Sequence, residues 1–333
     1  MASDALTEAL LIFALRRATE SAARAAYGWL GRGEKSFSDR AAMNAMRCEL
    51  DQLPIGGTVV IGDASIDDKL SLKTGQRIGD PHAALQYDIA VDPVEGTSYL
   101  ARGLTNAMAV MALAPKGSLY QPGPAFYMEK FAAPPAAKGK IDPQAPVEDK
   151  LRALAGILNK PVSELNIFAL EKPRHNNLID RIHALGARVA LYPAGDVGGA
   201  LMAAIPGTNI DALVGTGGTP EGILSACAIR TLGGEFQARL DPQLPSEVAA
   251  VKKAGLDTTR WLSVEDLVRS ERVYFSATGI TTGLLFEGVE RTGGMERTQT
   301  LLISGITGER QLLTTYHTSN DNSGGRPKGS GHA

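Results

Sequence analysis

The chain has 333 residues, 44% hydrophobic and 21% charged, which is the balance of an ordinary globular protein with room for two α/β lobes. A formal net charge of -2 lacks the basic excess that a broad nucleic-acid surface needs, so no nucleic-acid partner is expected. The two cysteines, Cys48 and Cys227, stand far apart without C-x-x-C spacing, which argues against a disulfide framework or zinc finger and fits a reducing cytoplasm.

The first predicted element is a long helix over 4–30, with Leu6, Leu10, Phe13 and Arg17 at helical spacing, followed by the small residues Ala22, Ala23, Ala25 and Ala26. Its apolar run from Ala9 to Leu15 is too short to cross a bilayer, follows Asp4 and Glu8, and stops at Arg16 and Arg17. It therefore reads as a core helix rather than a signal peptide or membrane anchor. Gly31 and Gly33 end it, and Ser38 is placed to cap a second helix over 39–52. A β-branched strand is expected at 58–61 and an irregular polar stretch at 64–85. A strand at 87–91 is expected to end at Asp92-Pro93, and a buried strand follows at 107–114. A strand pair should follow the turn at Pro115 to Gly117 and end near Phe131, with 132–148 as an inter-lobe connection.

From 149 onward helices and strands alternate: helices at 149–157, 176–185, 197–204 and after Glu221, strands at 166–170, 188–192 and 210–215. This pattern predicts a sheet with helices on its faces. Helices near 245–254 and 264–270 and strands at 272–276 and 297–315 complete the reading, and the polar, glycine-rich tail 318–333 is expected to be disordered. The fold class is α/β, in α+β layers, divided as an N-terminal metal-binding lobe, 1–148, and a C-terminal substrate lobe, 149–317.

The densest chemistry lies in Asp88-Ile89-Ala90-Val91-Asp92-Pro93-Val94-Glu95-Gly96-Thr97. Strand alternation puts Asp88, Ala90 and Asp92 on one face, with Asp92 at the carboxyl end where α/β sheets tend to bind ligands. Glu95 follows on the turn, and two converging carboxylates suit a hard divalent cation such as Mg²⁺ or Mn²⁺. The Gly96-Thr97 turn offers N–H groups to a phosphate and a hydroxyl to orient a water. Lys172-Pro173-Arg174-His175 supplies a cationic cluster suited to a second phosphate, although the same stretch in isolation reads as a solvated loop. Gly215-Thr216-Gly217-Gly218 lacks both P-loop and dinucleotide spacing and reads as a turn delivering Glu221 at a helix start.

The D-P-V-E-G-T run resembles the signature of the lithium-sensitive, metal-dependent phosphatase superfamily. Several further blocks occur in the order seen in class II fructose-1,6-bisphosphatases: Tyr127-Met128-Glu129-Lys130, Lys172 to His175, Gly215 to Gly222, and Ser276 to Thr281. The resemblance spans about residues 10 to 317. It implies a layered sugar-phosphatase or inositol-monophosphatase-like fold with two lobes and the active site between them. The implied reaction is metal-dependent hydrolysis of the 1-phosphate of fructose 1,6-bisphosphate, in gluconeogenesis or carbon fixation, by a cytoplasmic homotetramer. By the same resemblance, Asp39, Asp63, Asp92, Glu95 and Glu221 are metal ligands, and Thr97, Asp67 and Glu221 are catalytic. Glu95, Gly96, Thr97, Tyr127, Lys172, Arg174, His175, Gly195, Asp196 and Gly218 bind substrate.

The chain departs from the family pattern near the expected site. Asp63 stands where a glutamate is usual, Ser65 replaces a second acid, and Ala194 replaces the first acid of a D-G-D-V turn. These departures keep alternatives open: a sedoheptulose-1,7-bisphosphatase or dual-specificity enzyme, an inositol phosphatase, or a catalytically weak sugar-phosphate-binding paralogue.

Overall fold

The computed structural model describes residues 2–53, 55–62 and 71–318. It opens with two helices, α1 (Ala2–Tyr27) and α2 (Lys35–Leu50), then β1 (Gly56–Ile61), β2 (Arg77–Gly79), β3 (Gln86–Glu95), the short α3 (Thr97–Ala101) and β4 (Met108–Pro115). Next come β5 (Tyr127–Ala133), α4 (Val147–Leu158), β6 (Asn166–Leu170), α5 (Asn176–Ala184), β7 (Arg188–Tyr192), α6 (Asp196–Ala204) and β8 (Ala212–Gly218). The chain continues with α7 (Thr219–Leu232), β9 (Glu235–Leu240), α8 (Pro245–Lys253), β10 (Leu262–Ser263) and α9 (Val264–Leu267). It closes with β11 (Tyr274–Gly279), β12 (Glu290–Thr292), β13 (Met295–Ser304) and β14 (Arg310–Thr318).

Two sheets form. The first runs β12-β13-β11-β4-β3-β1-β2, with β14 paired to β13, and the second runs β10-β9-β5-β8-β6-β7. Alternation along β4 explains the layering: Val110 and Ala112 enter one core, Ala109, Met111 and Leu113 another. The first of these cores lies between the sheets and is filled by α6 and α7, with Met128 and Ala132 of β5 facing it from the second sheet. Helices α1 and α2 cover the outer face of the first sheet, where Ala18, Ala22, Ala23 and Ala26 are fully buried and allow close approach. Helices α4 and α5 cover the outer face of the second. The result is five layers, as the resemblance implied.

The expected boundary at 148 does not separate the sheets. Strand β5 precedes it yet sits inside the second sheet, and β11 to β14 follow it yet complete the first. The reason is pairing that no local pattern encodes: β4 bonds β11 along six residue pairs from Met108↔Gly279 to Leu113↔Tyr274.

Three local expectations are corrected. Ser38 does not cap α2, which starts at Lys35. Its hydroxyl instead donates back to the Lys35 carbonyl at 2.7 Å, as serines inside a helix do. Pro93 does not end β3, because the register against β4 shifts between Asp92 and Glu95 and the irregularity accommodates a residue with no N–H. Of the expected strand pair before Phe131, only β5 is a strand; Leu119 makes a single bridge to Val268. Strand β9 was not expected, and Thr318, expected in the tail, belongs to β14; the rest of the expected tail, 319–333, lies outside the described residues.

Candidate functional site

Strand β3 and helix α7 meet in the middle layer. The irregularity at Asp92 to Glu95 turns two carboxylates toward the first turn of α7, which Pro220 helps to start and which carries Glu221. Oxygens of Asp92, Glu95 and Glu221 lie within 4.8 Å of one another. Asp92 Oδ1 also accepts the Val94 N–H at 3.1 Å, which fixes its turn. Glu95 is buried and accepts the Val197 N–H from α6 at 3.4 Å.

The electrostatics of this cluster are one-sided. Burial first, then the charges of Asp92, Asp196 and Glu221, push Glu95 well above the ordinary carboxylate range. Burial and Asp196 raise Glu221 as well, with Lys130 opposing. Glu221 Oε2 is out of solvent reach and has no hydrogen-bond partner among the described residues, and neither has the Thr219 hydroxyl in the same helical turn. Orphaned buried oxygens are rare in native proteins, and an all-oxygen set of crowded carboxylates fits a hard divalent cation. By that test the residues present fit the metal.

Lys130 is the counter-charge, and the sequence reading passed over it. It projects from β5 with 1% exposure, pairs with Asp196 at the start of α6, and donates to the Gly218 carbonyl at 2.7 Å. The glycines of this turn leave room for two carboxylates. A Cβ on Gly217 would stand 2.2 Å from Asp196 Oδ2, and one on Gly218 would stand 1.8 Å from Glu221 Oε2. The signal for both was the G-T-G-G-T-P-E-G run itself.

Gly96, at φ 84°, leads into α3, and Thr97 Oγ1 donates to the Val94 carbonyl at 2.9 Å. Gly195, at φ 88°, stands just before Asp196. The Tyr99 hydroxyl donates to the Ala194 carbonyl at 2.7 Å and accepts the Ala194 N–H at 3.1 Å, which ties α3 to that turn. Burial pushes Tyr99 up to about 12, so it stays a phenol.

On the other side of β5, the Arg174 guanidinium lies 5.2 Å from the centre of the Tyr127 ring and donates to the Thr216 carbonyl at 3.0 and 2.8 Å. Lys172 and His175 flank it on the same loop. His175 is buried, and both its ring nitrogens are engaged by backbone. Asp39, half-buried on α2, lies outside the three-carboxylate set. Asp63 and Asp67 lie outside the described residues.

The family described as "Bacterial fructose-1,6-bisphosphatase, glpX-encoded" matches residues 9–317. A protein of Escherichia coli (strain K12) named fructose-1,6-bisphosphatase 1 class 2 is 44% identical over 314 residues, covering 90% of this chain and 93% of its own. A protein of Acaryochloris marina named D-fructose 1,6-bisphosphatase class 2/sedoheptulose 1,7-bisphosphatase 2 is 41% identical over 322 residues, covering 90% and 92%. The class 2 fructose-1,6-bisphosphatase of Haemophilus influenzae is 40% identical over 318 residues, covering 92% and 95%.

Proposed function

Because the chain belongs to the family of bacterial, class II fructose-1,6-bisphosphatases, we propose that it hydrolyses the 1-phosphate of fructose 1,6-bisphosphate to fructose 6-phosphate and phosphate. The observation that carries this reading is the set Asp92, Glu95 and Glu221, with Glu95 buried, whose oxygens converge without enough cationic charge among the described residues to balance them.

Asp92, Glu95 and Glu221 would hold Mg²⁺ or Mn²⁺, joined by Asp39 and Asp63. When bound, such an ion neutralises charge on the phosphate and makes a water acidic enough to attack near neutral pH. The Thr97 hydroxyl, whose proton is committed to the Val94 carbonyl, offers its lone pairs to an attacking water and orients it. Asp67 is the proposed acceptor of that water's proton. Glu95, Gly96 and Thr97 border the scissile phosphate. Gly195, Asp196 and Gly218 shape the sugar site, with Asp196 held by Lys130. Tyr127, Lys172 and Arg174 take the distal phosphate. Arg174 spends two donors on Thr216 and keeps others for a phosphate.

Phosphate release from fructose 1,6-bisphosphate with Mg²⁺ and with Mn²⁺, against a chelated control, tests the reading. Metal-dependent release is expected; release untouched by chelation sinks it. Sedoheptulose 1,7-bisphosphate belongs in the same assay. Ala194, where the family's turn carries an acid, changes the contacts open to the sugar beside Gly195 and motivates that second substrate.

We also infer a homotetramer in the cytoplasm. Leu10 and Phe13 on α1 and Leu312 and Tyr316 on the edge strand β14 leave apolar surface for further copies of the chain. Both cysteines are free thiols, and among the described residues no helix is long and apolar enough to cross a membrane. Sedimentation is expected to give about four times the 35.1 kDa chain mass. A monomer at micromolar concentration contradicts it.

A further inference from the structure

We propose that His175 is a positioning residue rather than a phosphate ligand: its neutral imidazole locks the loop carrying Lys172 and Arg174 onto the end of β8 and so sets the grip on the distal phosphate. The inference rests on the bisphosphatase reading above.

The ring's chemistry is fixed by its partners. The Thr216 N–H donates to Nε2 at 2.8 Å, so Nε2 carries a lone pair and the proton sits on Nδ1, which donates to the Leu170 carbonyl at 2.7 Å. At 3% exposure, with both nitrogens engaged, the ring has no donor left for a phosphate. Its seat is made by a glycine. A Cβ at Gly215 would lie 2.9 Å from two ring atoms, and the backbone there has φ 131°, which a side chain rarely tolerates.

The Thr216 peptide is thus held at both ends, its N–H by His175 and its carbonyl by Arg174. Strand β8 continues through Gly218 into the turn of Glu221, so the cations for one phosphate are indexed to the carboxylates for the other. The geometry explains why a loop with three cationic residue types uses only two of them on substrate.

The clamp has a pH sign. Burial, and then Arg174, hold His175 below its ordinary value of 6.5, against the pull of the Leu170 carbonyl bond and of Asp196 on α6; the Thr216 N–H, which needs the Nε2 lone pair, favours the neutral ring as well. The neutral form is the native one. The clamp is therefore complete above about pH 6.5 and is lost as pH falls through the lowered native value, because a protonated Nε2 would face the Thr216 N–H donor to donor.

The test compares fructose 1,6-bisphosphate with fructose 1-phosphate, which lacks the distal group, for wild type, His175→Ala and His175→Gln across acid to neutral pH. His175→Ala should raise KM for the bisphosphate about tenfold or more, with kcat and the monophosphate little changed. His175→Gln keeps an acceptor for Thr216 and should recover most of the loss. Relative to that variant, wild-type KM should rise as pH falls. An equal loss on both substrates, or a wild-type KM that improves on acidification as a direct imidazolium contact requires, overturns the proposal. Histidine-selective ¹⁵N spectra read the tautomer without turnover, so an Nε2–H or imidazolium form at neutral pH overturns it even if His175→Ala fails to fold. Wild-type protein inactive on the bisphosphate would instead sink the functional reading, leaving those spectra to decide the clamp.

Discussion

Replacing Glu95 by glutamine will raise the melting temperature of the metal-free protein while removing its metal-dependent phosphatase activity. Two opposite effects are expected from one atom because the site is built for a charge it does not itself supply. Without metal, the carboxylate at position 95 is buried and repelled by Asp92, Asp196 and Glu221, and its raised pKa records that cost. A glutamine still accepts the Val197 N–H and carries no charge. The sign of the pH dependence follows. For an acid whose native pKa lies above the unfolded value of 4.5, the native state binds more protons, so stability falls as pH rises from about 4.5 through the raised value. Chelated wild type should therefore melt lower with rising pH, and Glu95→Gln should flatten that trend. Divalent metal should stabilise wild type by mass action and do little for the variant. Loss of a ligand worth several kcal/mol in the transition state implies a fall in kcat on the order of a thousandfold. Melting curves with and without chelator decide the matter. A variant less stable than wild type in chelator, or one that keeps the metal-induced shift, contradicts this account of the site.

The second large effect belongs to Lys130. Removing one member of a buried ion pair leaves the other uncompensated, which typically costs about 3–5 kcal/mol. Lys130→Met should lose stability in that range by denaturant titration near neutral pH, since it strands Asp196 beside Glu221 and Glu95 and frees the Gly218 carbonyl. Adding Asp196→Asn should restore part of the loss, because the stranded charge disappears. A loss below about 1 kcal/mol, or no recovery in the double variant, would mean that the pair does not balance the acids.

The acidic set could be read in the sequence because its parts are local. Asp92 and Glu95 sit on one strand and turn, and Glu221 follows a glycine run that needs explaining wherever it occurs. Lys130 could not be read the same way. In Y-M-E-K-F-A-A alternation sets it on the apolar face of Met128 and Ala132, where a lysine has no local partner, and only a carboxylate 66 residues away makes its burial tolerable. His175 misled for a related reason. Beside Lys172 and Arg174 it looks like a third cation, but a backbone N–H 41 residues distant claims its ring. Pro93 looked like a strand end because the local rule omits the neighbouring strand, whose shifted register accommodates it. Alternation and helix periodicity gave a sheet with helices on its faces, and the layered arrangement came with the family resemblance. The sharing of strands between sheets was not legible, since β4 and β11 are joined by pairing across about half of the chain.

That shared architecture bears on how the protein is made. Strand β4 has β3 on one flank and β11 on the other, and β11 begins only at Tyr274. On a ribosome adding about 5–20 residues per second, the interval between finishing β4 and starting β11 lasts roughly 8–30 seconds. During that time an apolar strand, M-A-V-M-A-L-A-P, presents an open edge. The nascent N-terminal part is thus an unfinished sheet, and its exposure to chaperones and to neighbouring chains lasts until Tyr274 to Gly279 have been made.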